Sequence, residues 1–362
     1  MPADVETMAY RFETRADVPW HNLGFPIDHD ATPDEMLVAS GLNWRVSKRP
    51  LWTHTLPTIA EDGTTNSSGL MAVPDYFALV RDSDNKVFGP CGKDYVVTQN
   101  QQAMNFFKKF TDAGSMRMET AGSLQGGRQV WVLAKLLKTV VLPGGDEIRG
   151  YLLLSSPHVW GKSLICKFVT IRVVCANTFA MAMGESGQGK VFRAPHIRAF
   201  DAEAISEAHA TMGIANYLFD GFEATANALT KAKVNNDVVI RYIADIFQPE
   251  LVVEQFGKSF YKLPELKQAE VLVDPSSPKV SAVEFNRSAY EVASAVNRQP
   301  GADLESAKGT MWGAFNAVTY YTNHLSGRDR DNAMQSAWFG PKSVTNTKAL
   351  RRAVQVAEVL SR

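Results

Sequence analysis

The chain has 362 residues, 38 Lys+Arg against 38 Asp+Glu, and three cysteines, Cys91, Cys166 and Cys175. That length predicts two or three domains around a sizeable core, and 45% hydrophobic with 21% charged residues is an ordinary globular composition. Three cysteines make no disulfide framework, no basic-then-apolar leader opens the chain, and no run approaches the ~20 apolar residues of a membrane span, so a cytoplasmic protein is expected.

Residues 1–68 are turn-rich, with an aromatic turn at Pro19-Trp20-His21-Asn22-Leu23-Gly24 and a polar loop from Glu61 to Gly69. Tyr76–Arg81 and Lys86–Gly89 flank the turn Asp82-Ser83-Asp84-Asn85 and predict a hairpin, and Tyr95-Val96-Val97 a short strand. Asn100 to about Ala113 predicts a helix, with Met104, Phe107 and Phe110 three apart and Asn100 as a cap.

Met116–Ala121, Arg128–Leu136, Glu147–Ser155 and Ser163–Val174 predict four strands whose short turns favour an antiparallel meander. Ala176–Met183 is expected to follow as a short helix. Beyond the Gly184–Gly189 loop, helices are expected over Ala202–Lys233, Asp237–Phe247, Ala282–Arg298 and Ser306–Leu325, with a linker at Val273–Pro278. The expected fold class is α+β: an antiparallel meander followed by helix (β-β-β-α), then a helical C-terminal half. Three regions follow: an irregular segment 1–68, a β-rich core 69–200 and a helical region 201–362.

The zero charge is an average. Residues 1–92 hold 7 basic and 13 acidic side chains, 93–198 hold 14 and 6, and 199–362 hold 17 and 19. Opposed blocks of this kind suit either a basic binding face or head-to-tail association between subunits. Arg128, Lys135, Lys162, Lys167, Arg172, Arg193 and Arg198 lie in the basic block, near Trp131 and Trp160. Phosphate neutralisation beside stacking aromatics is what single-strand binding requires. On an alternating strand, however, Lys167 and Arg172 face opposite sides, and solvent-facing charges on a plain sheet are the competing reading.

Gly184–Lys190 matches the letters of a phosphate-binding P-loop, but a helix is expected before it, and Val191 and Pro195 replace the hydroxyl residue and the following helix. The loop is expected to bring Lys190 and Arg193 to a phosphate backbone, or to be plain surface. Trp312, Asn316, Tyr320 and His324 recur every four residues, a stripe that either stacks on bases or packs into the core. The cysteines and histidines lack metal-ligand spacing, so no metal and no cofactor is expected. Cys175, Asn177, His196 and His324 are the polar candidates for an unrecognised enzyme site, although a buried structural thiol suits Cys175 better.

Trp20–Gly24, Glu119–Ser123 with Gly127–Leu136, Ile171–Thr178, the Gly309–His324 block and Trp338–Gly340 with Lys348–Leu350 resemble a widespread phage- and plasmid-type domain of unknown function. The strand run is also similar in outline to single-strand annealing recombinases. That resemblance implies a DNA-binding protein that forms a homo-oligomeric ring or filament and anneals or protects single-stranded DNA in recombination or replication without ATP, away from any membrane. A non-catalytic phage assembly or host-interaction protein is the alternative.

Overall fold

The computed structural model describes residues 5–11, 24–59, 61, 65–66, 69–175, 177–180, 191–212, 215–327, 336 and 340–362. Among the described residues, thirteen strands run β1 Val5–Arg11, β2 Phe25–Ile27, β3 Val46–His54, β4 Thr58–Ile59, β5 Thr65–Asn66, β6 Leu70–Arg81, β7 Val87–Gly92, β8 Met116–Leu124, β9 Gln129–Leu142, β10 Asp146–Pro157, β11 Ser163–Arg172, β12 Asn177–Ala180 and β13 Val191–Pro195. Helices α1 Pro33–Ala39 and α2 Asn100–Asp112 lie among them. The C-terminal half is helical: α3 Ala202–Met212, α4 Ala215–Lys231, α5 Asn236–Phe247, α6 Pro249–Phe256, α7 Glu265–Val273, α8 Arg287–Ala295, α9 Met311–Tyr320 and α10 Pro341–Leu360.

The meander forms as the sequence predicts. β8 to β11 pair antiparallel in chain order, and β1 and β2 extend one edge, so the large sheet runs β12-β11-β10-β9-β8-β1-β2. β13 pairs with the first half of β11 and β12 with its second half. A second sheet, β3-β6-β7, contains the expected hairpin. The class is α+β with antiparallel sheets and a helical C-terminal half.

Several local expectations give way. The expected helix over 176–183 contains strand β12, because Asn177–Ala180 find a backbone ladder on Val169–Arg172 and a ladder outweighs weak helix propensity. Tyr95–Val97 is irregular, and its amide at Val96 donates to the His196 carbonyl at 2.7 Å instead of a neighbouring strand. α2 starts at Asn100, but the cap is Gln99, whose N–H donates to Gln102 Oε1 at 2.7 Å. The helix expected over Ser306–Leu325 begins at Met311, capped by Thr310, and widens into a π-turn over Tyr321–Leu325. The aromatic turn at 19–23, the 184–190 loop with Lys190, and Trp338–Phe339 lie outside the described residues.

What positions the functional surface is that both faces of the large sheet are buried. One face, with Val130, Val132, Ala134, Ile148, Leu152, Cys166 and Phe168, packs into the main core with the helices. The other gathers Trp131, Leu133, Tyr151, Leu153 and Val169 with Met8, Tyr10 and Leu124. β9 and the Tyr151–Leu154 stretch of β10 are therefore near-continuous apolar runs, as two-sided burial requires.

Strand core and helical half are joined by buried charge. Asp146 accepts from Arg172 Nε at 2.8 and 3.0 Å, from Ser306 Oγ at 2.7 Å and from Trp312 Nε1 at 3.0 Å. Arg172 also donates to the Gly301 carbonyl at 3.0 Å. In the helical half, Arg241 donates to the carbonyls of Leu272, Asp274, Ser277 and Pro278, which fastens the 273–278 linker onto α5. Among the described residues no helix is long and apolar enough to cross a membrane.

Candidate functional site

The basic residues and tryptophans separate into two groups. Trp131, Lys135 and Lys167 are buried on the second face of the large sheet. Burial pushes the Lys167 amine down to about 7, helped by the charge of Arg193. Arg172 faces the main core, opposite Lys167 as strand alternation predicts, and is committed to Asp146. Trp312 and Asn316 are buried in α9. The buried group therefore forms no solvent-facing surface: the sheet face that carries Lys135 and Lys167 is covered, and of the four-residue stripe Trp312 and Asn316 are core while Tyr320 is half-buried and His324 exposed. The other group, Arg128, Trp160, Lys162, Arg193 and Arg198, is exposed, with Arg198 paired to Glu207.

The exposed group centres on the seam where the small sheet meets the end of β10. Trp160, in the β10–β11 turn, is 50% exposed and lies over Gly92, to whose ordinary Cβ position its ring comes within 3.5 Å. Tyr76, the strand partner of Gly92, is 43% exposed and meets the indole edge-on, ring centres 5.9 Å apart at 79°. Lys162 stands two residues from Trp160 in the same turn, its N–H on the Val159 carbonyl. Lys93 follows Gly92 and reaches Asp75 at 3.5 Å. Arg128 anchors its Nε on the Phe88 carbonyl at 2.8 Å. The sequence reading missed Tyr76 and Lys93, because only the Tyr76–Gly92 register brings them to Trp160.

Two histidines pack into this seam. His158 is fully buried, stacked on Phe88 at 5.7 Å and 12° and tilted against Trp44 at 5.3 Å. Its backbone N–H donates to the Arg128 carbonyl at 2.8 Å. Asn100 Nδ2 donates to the Leu42 carbonyl, so Asn100 Oδ1, 2.9 Å from His158 Nε2, must accept, which assigns the proton to Nε2. Nδ1 then meets no partner among the described residues, and a second proton there would be buried unpaired. Desolvation, with the nearby His196, pulls the ring down to about 3. His196 stacks on Tyr95 at 4.8 Å and 17°, with Nδ1 3.1 Å from the Val96 carbonyl. Arg81 completes the seam, over Trp44 at 5.2 Å and paired with Glu6 at 2.9 Å and Asp84 at 2.6 Å.

Of the enzyme candidates, His196 serves this seam and His324 lies beside Tyr320 after α9, so the two are used in different places. The side chains of Cys175 and Asn177 lie outside the described residues. No three His, Cys, Asp or Glu side chains gather as a metal site among the described residues. The seam's chemistry is that of a fixed platform, an open aromatic pair with cations around it.

An α+β protein with such a platform belongs to no activity class by fold alone. A family described as Domain of unknown function (DUF932) matches residues 87–354, most of the chain, and the protein belongs to that family. Comparison with curated proteins and with solved structures returns no significant match.

Proposed function

We propose that the protein binds single-stranded DNA across the seam, with Trp160 and Tyr76 stacking on bases and Arg128, Lys162 and Lys93 neutralising phosphates. The observation that carries this reading is the Trp160–Tyr76 pair, two large rings half-open to solvent among exposed cations. Stacking needs unpaired bases, which favours single strands over duplex. The outline similarity of the strand run to single-strand annealing recombinases extends this reading to annealing or protecting strands during recombination or replication, in oligomeric form and without ATP.

Replacing Trp160 by Ala should weaken binding of a 20-residue oligothymidine about tenfold, within the range for one lost stacking platform. Fluorescence anisotropy with a labelled strand measures it, and an unchanged affinity would remove the platform from the account. Lys135→Met should leave affinity within about twofold, since its amine belongs to the sheet's covered face; a loss as large as that of Trp160→Ala would mean that this face opens to DNA.

A second reading, an assembly or host-interaction protein, is favoured by the far half of the β3–β6 ribbon. There Trp52, Leu70 and Met71 are each at least half exposed, on paired strands. Met71→Glu should lower the mass measured by light scattering if that ribbon joins subunits, and should leave oligothymidine binding to a monomer intact.

A further inference from the structure

The groove between α10 and the start of α7 holds cations that the fold does not exhaust. It encloses about 340 Å³, within the size range of small-molecule sites. Val344, Thr347, Lys348 and Arg351 line it from one face of α10, at the three- and four-residue spacing that makes neighbours on a helix.

Arg352, at its back, is committed to the fold. Its Nε donates to Asp245 Oδ2 at 2.8 Å, Nη1 to the Glu265 carbonyl at 3.0 Å and Nη2 to Gln268 Oε1 at 2.5 Å, so its charge is met by Asp245. Lys348 is not exhausted: Nζ gives one hydrogen to the Asp245 carbonyl at 2.6 Å and keeps two. Among the described residues Arg351 approaches only Glu265, at 3.6 Å, beyond hydrogen-bond length. Two cations with donors to spare therefore face one carboxylate, which Gln355 holds at the rim. Val344, 70% exposed, adds an apolar wall.

We propose that this groove binds a phosphomonoester of mononucleotide size, its phosphate between Lys348 Nζ and the Arg351 guanidinium and its carbon body against Val344. A phosphate offers three terminal oxygens, enough to take both the guanidinium fork and the ammonium donors at once, whereas a carboxylate has two. The groove shares no residue with the Trp160 surface, so the inference stands apart from strand binding.

The test is calorimetric titration of the full chain with adenosine monophosphate, inorganic phosphate and adenosine. Adenosine monophosphate and phosphate should bind and adenosine should not. Arg351→Gln should weaken adenosine monophosphate binding at least tenfold, and Glu265→Gln, which removes the opposing charge but keeps an acceptor for Gln355, should tighten it severalfold. Both positions are exposed, so both variants should keep the wild-type melting temperature. Absence of binding at millimolar adenosine monophosphate, or unchanged binding in both variants, would overturn the proposal. Displacement of the mononucleotide by an oligothymidine without terminal phosphates would also overturn it, by assigning the groove to a strand.

Discussion

Asp146→Ala should destabilise the protein by about 3–5 kcal/mol, the usual consequence of removing one partner of a buried ion pair. Both charges are out of water, with Asp146 0% and Arg172 3% exposed. The substitution removes the carboxylate that Arg172 Nε reaches at 2.8 and 3.0 Å and strips an acceptor from Ser306 Oγ and Trp312 Nε1. Because those partners come from the helical half, the loss falls on the contact that unites it with the sheet. A thermal scan should show a fall of about 5 °C. The double variant Asp146→Leu/Arg172→Met should recover most of that loss, since no unpaired charge remains. A fall of less than 2 °C for Asp146→Ala would show that the pair is not sealed from water. Oligothymidine binding by the folded double variant should match wild type, because Arg172 presents no donor at the seam.

Acidification should weaken the fold well above the range where carboxylates titrate. His158 is held down to about 3 from an ordinary 6.5, first by desolvation and then by His196. Below pH 6.5 the unfolded chain takes up a proton that the folded chain refuses. The full contribution is therefore present above pH 6.5 and is lost at about 1.4 kcal/mol per unit as the pH falls toward 3. Between pH 7 and 5 that amounts to about 2 kcal/mol, and His196 and His209, both shifted down mainly by burial, act in the same direction. Urea unfolding at pH 7, 6 and 5 measures it. His158→Asn should flatten the slope; equal stability at pH 7 and pH 5 would contradict a neutral, buried His158.

The meander was legible because its strands are long runs of Val, Leu and Ile broken by glycine turns, and α5 because Val239, Tyr242, Ile243 and Ile246 mark one helical face. What those runs conceal is how many faces they bury. A strand covered on one side alternates, whereas β9 and β11 bury side chains on both, so their lysines pass for solvent-facing charges. Lys135 and Lys167 misled for that reason. The role of Asp146 is hidden for another reason: in sequence it is one of two adjacent acidic residues, and its partners Arg172, Ser306 and Trp312 stand up to 166 positions away. Spacing along a chain carries no trace of such a contact. The same holds for Tyr76 and Trp160, which meet only through the β6–β7 register and the docking of the small sheet on His158. Trp160, Arg128 and Lys162 were accessible from type and neighbourhood alone, since turns next to strands stay exposed.

On the proposed reading, strand binding resides at the seam and not across the sheet. The salt dependence of oligothymidine affinity between 50 and 300 mM tests it most directly, measured on wild type and on Arg128→Glu/Lys162→Glu. Three phosphate contacts, from Arg128, Lys162 and Lys93, predict a slope of about −2 in log K against log salt for a single strand. The double variant should bind at least tenfold more weakly at 50 mM and show a slope near −1 or flatter. Wild-type binding that does not respond to salt, or a variant whose affinity and slope equal those of wild type, would contradict the seam as the site.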